Sequence, residues 1–122
     1  PDREVWVVAG DGGFQMTLAE LATIVQEKIK VNVAIINNSY LGMVRQWQEM
    51  FYDRAYSEVD LSISPDFVKL AEAYGAQGLR ATTPAELTSA LRPGLEHTGV
   101  PVWEIVVPII PAGQDTRNMI LK

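Results

Sequence analysis

The sequence predicts an α/β domain in which helices flank an open parallel sheet. Short apolar runs rich in β-branched residues alternate along the chain with stretches of helical periodicity, the pattern of parallel strands joined by helical crossovers. Two polar turns, residues 10–13 and 37–40, each follow an apolar run directly. In such sheets ligands bind beyond the carboxyl ends of the strands. Residues 1–122 have the length of a single domain.

Four strands and four helices are predicted in the order βα, βα, α, βα, β. The first apolar run, residues 5–9, has the length and β-branching of a strand buried on both faces. The predicted strands are residues 5–9, 31–36, 77–80 and 102–107. The predicted helices are residues 17–28, 41–50, 65–74 and 84–97.

Three of the predicted helices begin with capping signals. Thr17 and Glu20 have the spacing of a capping box, and Thr83 and Glu86 repeat it. Ser64 is a candidate N-cap because the proline after it suits the first helical position. A glycine follows each of the last two helices and is predicted to end it.

Composition argues against several functional classes. The net charge is −5, and lysines and arginines form no cluster, which argues against nucleic-acid binding and against a polybasic membrane contact. The chain has no cysteine, which excludes disulfides and thiolate metal sites. Its apolar runs are too short to cross a membrane. A hydrophobic fraction of 48% is consistent with buried strands and with surfaces that pack on other domains.

The first polar turn, Gly10-Asp11-Gly12-Gly13, has the character of a phosphate site with one conflicting residue. Glycines let the backbone approach a ligand closely, and backbone N–H groups before a helix favour phosphate oxygens. The Asp11 carboxylate repels phosphate. A divalent cation removes this conflict, because Mg²⁺ binds carboxylate and phosphate oxygens together. An ordinary strand-to-helix turn is the alternative.

The second polar turn offers another ligand for a hard cation. The carboxamide oxygen of Asn38 suits Mg²⁺. One helix and one strand separate the two turns, so a parallel sheet brings both to the same edge. The alternative is a turn in which the asparagine side chains bond only to their own backbone.

These two turns together resemble the fingerprint of thiamine diphosphate enzymes, in which Gly-Asp-Gly precedes Asn-Asn by about two dozen residues. The resemblance implies the fold of a diphosphate-binding domain. It also implies that Asp11, Asn38 and the main-chain carbonyl of Tyr40 bind Mg²⁺, which anchors the diphosphate of the cofactor. The cofactor-binding residues would be Gly10, Asp11, Gly12, Gly13, Asn38, Tyr40, Gly42 and Met43.

Longer stretches are similar to the large, catalytic subunits of acetolactate synthase, namely residues 10–17, 20–23, 37–48, 65–71 and 111–113. The similarity covers nearly the whole chain but only the C-terminal domain of that family's three. It implies a part of an enzyme that decarboxylates pyruvate and condenses it with a second 2-oxo acid in branched-chain amino-acid biosynthesis. Pyruvate oxidase, glyoxylate carboligase and sulfoacetaldehyde acetyltransferase are alternatives, as is an isolated, non-catalytic binding module.

Met43 and Trp47 lie four residues apart and share one face of a predicted helix. By pattern alone, such an apolar face is more typical of a core. The resemblance instead places both residues beside the active site, where Trp47 would line the substrate channel.

The resemblance also implies partners. These are the remaining domains of the enzyme, a second catalytic subunit in a homodimer or homotetramer, and a regulatory subunit. It implies a cytoplasmic location in a bacterium, or a plastid or mitochondrion in a eukaryote. The glutamate that activates the cofactor ring lies in the family's N-terminal domain, so the chain alone is expected to be inactive. By the resemblance, an acidic, asparagine-containing loop is expected after the last strand, and residues 106–111 are shorter than that pattern.

Overall fold

The computed structural model describes residues 3–108, whose strands form one parallel sheet. The strands are β1 (Trp6–Gly10), β2 (Asn32–Asn37), β3 (Gln77–Ala81) and β4 (Pro101–Val106). The helices are α1 (Asp11–Thr17), α2 (Glu20–Gln26), α3 (Gly42–Phe51), α4 (Phe67–Ala73) and α5 (Pro84–Glu96). The spatial order of the strands is β1-β2-β4-β3. The predicted open parallel sheet with flanking helices is confirmed, and each strand lies within one residue of its predicted bounds.

One face of the sheet carries the main hydrophobic core. Side chains alternate between the faces of a strand, so Val33 and Ile35 of β2 point to the same side as Val102 of β4. Phe14 of α1 and Phe67 of α4 pack on that side, with their rings edge to face and 5.8 Å between centroids. Burial of these side chains fixes α1 and α4 on this face of the sheet.

The opposite face is covered over β3 and β4 by α5. Trp103 of β4 is buried there, and its indole N–H donates to the carbonyl of Ala90 at 3.2 Å. A Cβ at Gly94 would collide with the Trp103 ring, so glycine lets α5 lie directly on the indole. The ring of Trp6 stacks on Trp103 from β1, with 4.9 Å between centroids.

The prediction that the first strand is buried is wrong for the described residues. β1 is an edge strand that pairs only with β2, and Val8 is 69% exposed. Val8 and Trp103 lie on the same face of the sheet, but the helix on that face, α5, packs over β3 and β4 and leaves Val8 exposed. The apolar run that predicted burial is therefore a largely exposed apolar surface, which extends to Val5 and Val7.

Two predicted helix starts are also wrong. The single helix predicted over residues 17–28 is two short helices, and the first begins at Asp11, directly after β1. Thr17 is the last residue of α1, so it cannot take the extended conformation of an N-cap, and α2 begins after Ala19 without a side-chain cap. At α4 the N-cap is Asp66 rather than Ser64, because the carboxylate of Asp66 accepts the free N–H groups of the first turn.

Other helix ends agree with the predictions. Thr83 caps α5, since its hydroxyl accepts the N–H of Glu86 at 3.2 Å. Gly75 ends α4 at φ +82°, the left-handed conformation that favours glycine. Within residues 3–108 no helix has the length and apolarity needed to cross a membrane. The predicted family match at residues 111–113 lies outside the described residues, as does most of the segment after Val107.

Parallel pairing of β1 with β2 brings the two polar turns together. Gly10 and Ile36 are partners at the carboxyl end of this pair, so the residues that follow each strand emerge at the same edge of the sheet. The edge predicted to carry the ligand site is therefore the edge at which both turns lie.

Removing the cap of α5 tests how much this side-chain bond stabilises the fold. Thr83→Ala leaves an N–H of the first turn without its acceptor and is expected to lower the free energy of unfolding by about 1 kcal/mol. Thr83→Ser keeps the hydroxyl and is expected to retain most of the stability. Urea titrations of the three proteins measure both effects. Equal losses in the two variants would show that the hydroxyl bond is not the cause.

Candidate functional site

A cleft of about 310 Å³ opens at the carboxyl ends of β1 and β2. Its walls come from both polar turns and from the first turn of α3. It is lined by all eight residues for which cofactor binding is predicted: Gly10, Asp11, Gly12, Gly13, Asn38, Tyr40, Gly42 and Met43.

Asp11 is a buried carboxylate with an unused acceptor. It is 2% exposed, and its Oδ2 atom has no hydrogen-bond partner among residues 3–108. Burial raises the pKa of Asp11 above its ordinary value and the carboxylate of Glu104 raises it further, while nearby backbone N–H groups, including that of Ser39, oppose the rise. A buried anionic oxygen without a partner is costly, and a bound cation would compensate it.

In the second polar turn the asparagine side chains accept hydrogen bonds from the turn's own backbone, and the Asn38 oxygen keeps a lone pair for a metal. Oδ1 of Asn37 accepts the N–H of Ser39 at 2.9 Å, and Oδ1 of Asn38 accepts the N–H of Tyr40 at 3.0 Å. The self-bonded turn that the sequence left as an alternative is therefore formed. It does not exclude a metal, because a carboxamide oxygen has two lone pairs and this bond uses only one of them.

Tyr40 is held in place by the loop after α3 and leaves its carbonyl available. It forms an isolated antiparallel bridge with Asp60, whose hydrogen bonds are made by the flanking residues Ser39, Leu41, Val59 and Leu61. In such a pair the central residues do not bond to each other, so the bridge does not use the Tyr40 carbonyl. The guanidinium of Arg45 lies 4.8 Å from the Tyr40 ring centroid and 4.6 Å from that of Tyr56, which ties α3 to both aromatic rings.

The glycines of the first turn have two different roles. A Cβ at Gly12 would lie 2.6 Å from Cδ2 of Leu41 and 3.1 Å from Cδ1 of Leu61, so packing against these side chains favours glycine there. Around Gly10 and Gly13, by contrast, no described atom lies within 4 Å of a built Cβ. Gly10 has φ −73° and the other two are helical, so none of them needs a left-handed conformation. The open space above Gly10 and Gly13 lets a ligand approach the backbone closely.

The apolar face of α3 is not part of the core of the described residues. Met43 is 73% and Trp47 54% exposed, and Met43 lines the cleft. The Trp47 ring packs edge to face on Phe51, with 6.3 Å between centroids. Tyr52 and Tyr56 are exposed nearby. The core interpretation of this face is therefore wrong here, and the role of Trp47 in a substrate channel stays a prediction.

The sequence did not predict the buried polar network beside the cleft. Glu104 of β4 is 4% exposed and binds both Asn37 of the second turn and Arg80 of β3. Its signal in the sequence is a single carboxylate within the apolar run of β4. Because buried charges in proteins are normally paired, that signal could have predicted a basic partner on a neighbouring strand.

The cleft presents oxygen atoms of different chemical types that could bind a metal. Across residues 3–108 there is no group of three or more His, Cys, Asp or Glu side chains that could hold a metal ion. The residues of the cleft instead combine one carboxylate with a carboxamide oxygen and a main-chain carbonyl, a set that suits a hard cation such as Mg²⁺.

Comparison with known proteins gives the family. Residues 1–105 match the family described as thiamine pyrophosphate enzyme, C-terminal TPP binding domain. This chain belongs to that family. Thiamine pyrophosphate is the same compound as thiamine diphosphate, so family membership gives the cofactor as thiamine diphosphate with Mg²⁺. The resemblance of the two polar turns to the fingerprint of thiamine diphosphate enzymes is confirmed.

Two of the most similar relatives are acetolactate synthases. Over 106 residues the chain is 49% identical to the acetolactate synthase of Mycobacterium bovis, which covers 84% of this chain and 17% of that protein. Over 126 residues it is 42% identical to the acetolactate synthase large subunit of Lactococcus lactis, covering 98% and 22%. The chain thus spans about a fifth of the length of these relatives.

A solved structure agrees with the fold. The thiamine diphosphate-dependent 4-hydroxybenzoylformate decarboxylase of Rhodococcus jostii superposes with a TM-score of 0.84 at 29% identity, over 90% of this chain and 21% of that one. The identity to this decarboxylase is lower than the identity to the two acetolactate synthases.

The stability of the metal-free protein should depend on the charge of Asp11. Because burial raises its pKa, the folded protein binds a proton at a higher pH than the unfolded chain does. The stability of the wild type relative to Asp11→Asn is therefore expected to increase as the pH falls through the raised pKa, and to level off below the ordinary carboxylate range. Urea unfolding in the presence of a chelator at a series of pH values measures this difference. A difference that shrinks on acidification would mean that the charged form is the stabilised one.

Proposed function

We propose that this chain binds the diphosphate of thiamine diphosphate through Mg²⁺ as part of an acetolactate synthase large subunit. The observation that carries the proposal is the buried Oδ2 atom of Asp11, which has no partner among the described residues at the wall of an open cleft. The identities of 49% and 42% to acetolactate synthases support the choice within the family.

The metal ligands would be Asp11, Asn38 and the carbonyl of Tyr40. All three residues line the cleft, and each offers an oxygen that no neighbour fully uses. Mg²⁺ binds few protein ligands and completes its octahedron with water and phosphate oxygens. Three protein ligands would therefore leave positions for the diphosphate.

The diphosphate itself would lie over the glycine turn. The first backbone N–H groups of α1 have no backbone acceptor within the helix. The N–H of Gly12 donates to the Asp11 carboxylate, which makes Gly13 the more suitable donor to the diphosphate. Gly10 and Gly13 leave the space that a close approach needs. Gly42 and Met43 form the facing wall of the cleft.

In the intact enzyme, the bound cofactor would supply the electron sink for decarboxylation of pyruvate and for its condensation with a second 2-oxo acid. The residues of this chain would hold and orient the diphosphate end. The exposed side chains of Met43 and Trp47 on α3 would line the path by which 2-oxo acids enter.

The remaining partners belong to the same proposal. The exposed apolar side chains of β1 and α3 support contacts with further domains and with a second catalytic subunit. A regulatory subunit is a further expected partner, on the resemblance to acetolactate synthase large subunits. Those contacts would cover the cleft and exclude water from the cofactor.

Loss of the Asp11 carboxylate tests the metal site. Asp11→Asn is expected to weaken Mn²⁺ binding, measured by electron paramagnetic resonance with thiamine diphosphate present, by more than about 100-fold, because removal of a direct ligand exceeds the 10–100-fold typical of outer-shell partners. Asp53→Asn, at an exposed turn, is the matched control and should bind as the wild type does. Unchanged affinity in Asp11→Asn would refute the proposed ligand.

Substitution of one exposed and one buried tryptophan tests whether Trp47 lines the substrate channel. Trp47→Ala is expected to change the ratio of products formed from pyruvate and 2-oxobutyrate in the intact enzyme, with little loss of stability, because the side chain is 54% exposed. Trp103→Ala, at a buried site, should instead cost about 3–5 kcal/mol of unfolding free energy. A comparable loss of stability in Trp47→Ala with an unchanged product ratio would assign Trp47 to packing.

A further inference from the structure

Glu104 is a buried carboxylate whose two oxygens have different partners. It stands on β4 in register with Ile35 of β2 and Arg80 of β3. Oε2 accepts from Nε of Arg80 at 2.8 Å, and Oε1 accepts from Nδ2 of Asn37 at 2.7 Å. The Arg80 pair compensates the buried charge, so the bond to Asn37 is not needed for neutralisation.

The bond from Asn37 to Glu104 determines which way the Asn37 amide faces. A carboxylate can only accept hydrogen bonds, and the backbone N–H of Ser39 can only donate. Both are satisfied in one orientation alone, with Nδ2 on Glu104 and Oδ1 on the Ser39 N–H at 2.9 Å. A reversed amide would bring two donors together at Ser39 and two acceptors together at Glu104.

The turn fixed by this amide carries the proposed metal ligands. Ser39 has φ +60°, an uncommon conformation for a residue other than glycine, which its bond to Asn37 helps to hold. Asn38 and Tyr40 flank Ser39 directly. Any change in the turn at Ser39 therefore redirects both the Asn38 side chain and the Tyr40 carbonyl.

We propose that Glu104 is a positioning residue of the Mg²⁺ site and acts through the Asn37 amide on the turn that presents Asn38 and Tyr40. The proposal rests on the metal-binding function proposed above. Glu104 itself does not line the cleft, whereas Asp11, Asn38 and Tyr40 do, so it is not counted among the ligands.

A structural role is the competing explanation. Arg80 also bonds Oδ1 of Asp66, the N-cap of α4, through Nη2 at 2.8 Å, so Glu104 belongs to a chain of contacts that secures α4. Asp66→Asn weakens the contact between Arg80 and residue 66 and leaves the contact between Glu104 and Asn37 in place. It is therefore the control for loss of stability without loss of positioning.

The proposal is tested by exchanging the hydrogen-bond donor and acceptor between positions 37 and 104. In Glu104→Gln, the charge of Arg80 holds the remaining oxygen, so the new NH₂ group faces the NH₂ group of Asn37 and the amide of Asn37 turns away. In Asn37→Asp, two carboxylates face each other. In the double variant, the glutamine NH₂ donates to the aspartate, which still accepts from Ser39, and the net charge equals that of the wild type.

Mn²⁺ affinity of the intact protein is measured at pH 8 by electron paramagnetic resonance, well below the melting temperature of each variant. Each single variant is expected to bind about 10–100-fold more weakly than the wild type, as for loss of an outer-shell partner, and the double variant to recover most of that loss. Asp66→Asn should melt at a lower temperature but keep the wild-type affinity.

Three outcomes would overturn the proposal. A simple field effect predicts that the added charge in Asn37→Asp tightens Mn²⁺ binding, so tighter or unchanged binding in that variant contradicts positioning. Failure of the double variant to recover affinity contradicts it as well, as does a loss in Asp66→Asn equal to that in Glu104→Gln. If Glu104→Gln does not fold, Asn37→Asp and the double variant still decide between these explanations.

The Asp11→Asn variant separates this proposal from the function on which it rests. If Asp11→Asn retains Mn²⁺ binding, the metal site proposed above is wrong. If Asp11→Asn abolishes binding while Glu104→Gln and Asn37→Asp leave it unchanged, the metal site stands and the positioning role of Glu104 is wrong.

Discussion

The pairing of β1 with β2 is the constraint on which the rest of the site depends. Because the strands are parallel and in register from Trp6 with Asn32 to Gly10 with Ile36, the chain leaves both of them at the same edge of the sheet. The helix α1 can then start at Asp11 within reach of the turn after β2. A shift of one residue in register would turn Val33 and Ile35 away from the core. The core therefore fixes the register, and the register fixes the geometry of the cleft.

Within residues 3–108, two carboxylates are buried at this edge of the sheet, and only one of them has partners for both of its oxygens. Glu104 has Arg80 and Asn37 as partners, whereas Oδ2 of Asp11 has none among the described residues. The pKa of Asp11 is raised by its burial and by the nearby Glu104, which means that the metal-free fold carries an unfavourable charge. Such local destabilisation is common where a ligand supplies the missing interaction. The stabilising contribution of a bound cation would therefore be largest at the residue that the fold leaves unsatisfied.

The parts of the fold that the sequence predicted are those set by local pattern. Apolar runs predicted the four strands, and the glycine-aspartate and asparagine turns predicted residues that line the cleft. What the sequence missed depends on contacts between distant residues. The exposure of Val8 follows from the place of β1 at the edge, and the choice of Asp66 over Ser64 as N-cap follows from where α4 begins. Glu104 and its two partners lie on three different strands, which no local pattern links.

Sequence resemblance supplied what pattern could not, namely the cofactor. The turn chemistry alone left self-bonded turns as an alternative, and the structure has both of these bonds. The same side chains can shape a turn and keep a lone pair for a cation, so the structural and the functional interpretations of Asn38 do not compete. The observation that points to a cation is instead at Asp11, whose Oδ2 atom has no partner among residues 3–108.

The open edge of β1 has a consequence for handling this domain. An edge strand presents unpaired backbone N–H and C=O groups, and natural proteins often protect such edges with charged residues or proline. Along β1 the side chains are instead Trp6, Val7 and Val8, all more than 40% exposed. Strands of this kind can add to one another between molecules, which makes the isolated domain prone to self-association. A lysine in place of Val8, which does not line the cleft, would act as a gatekeeper against such association.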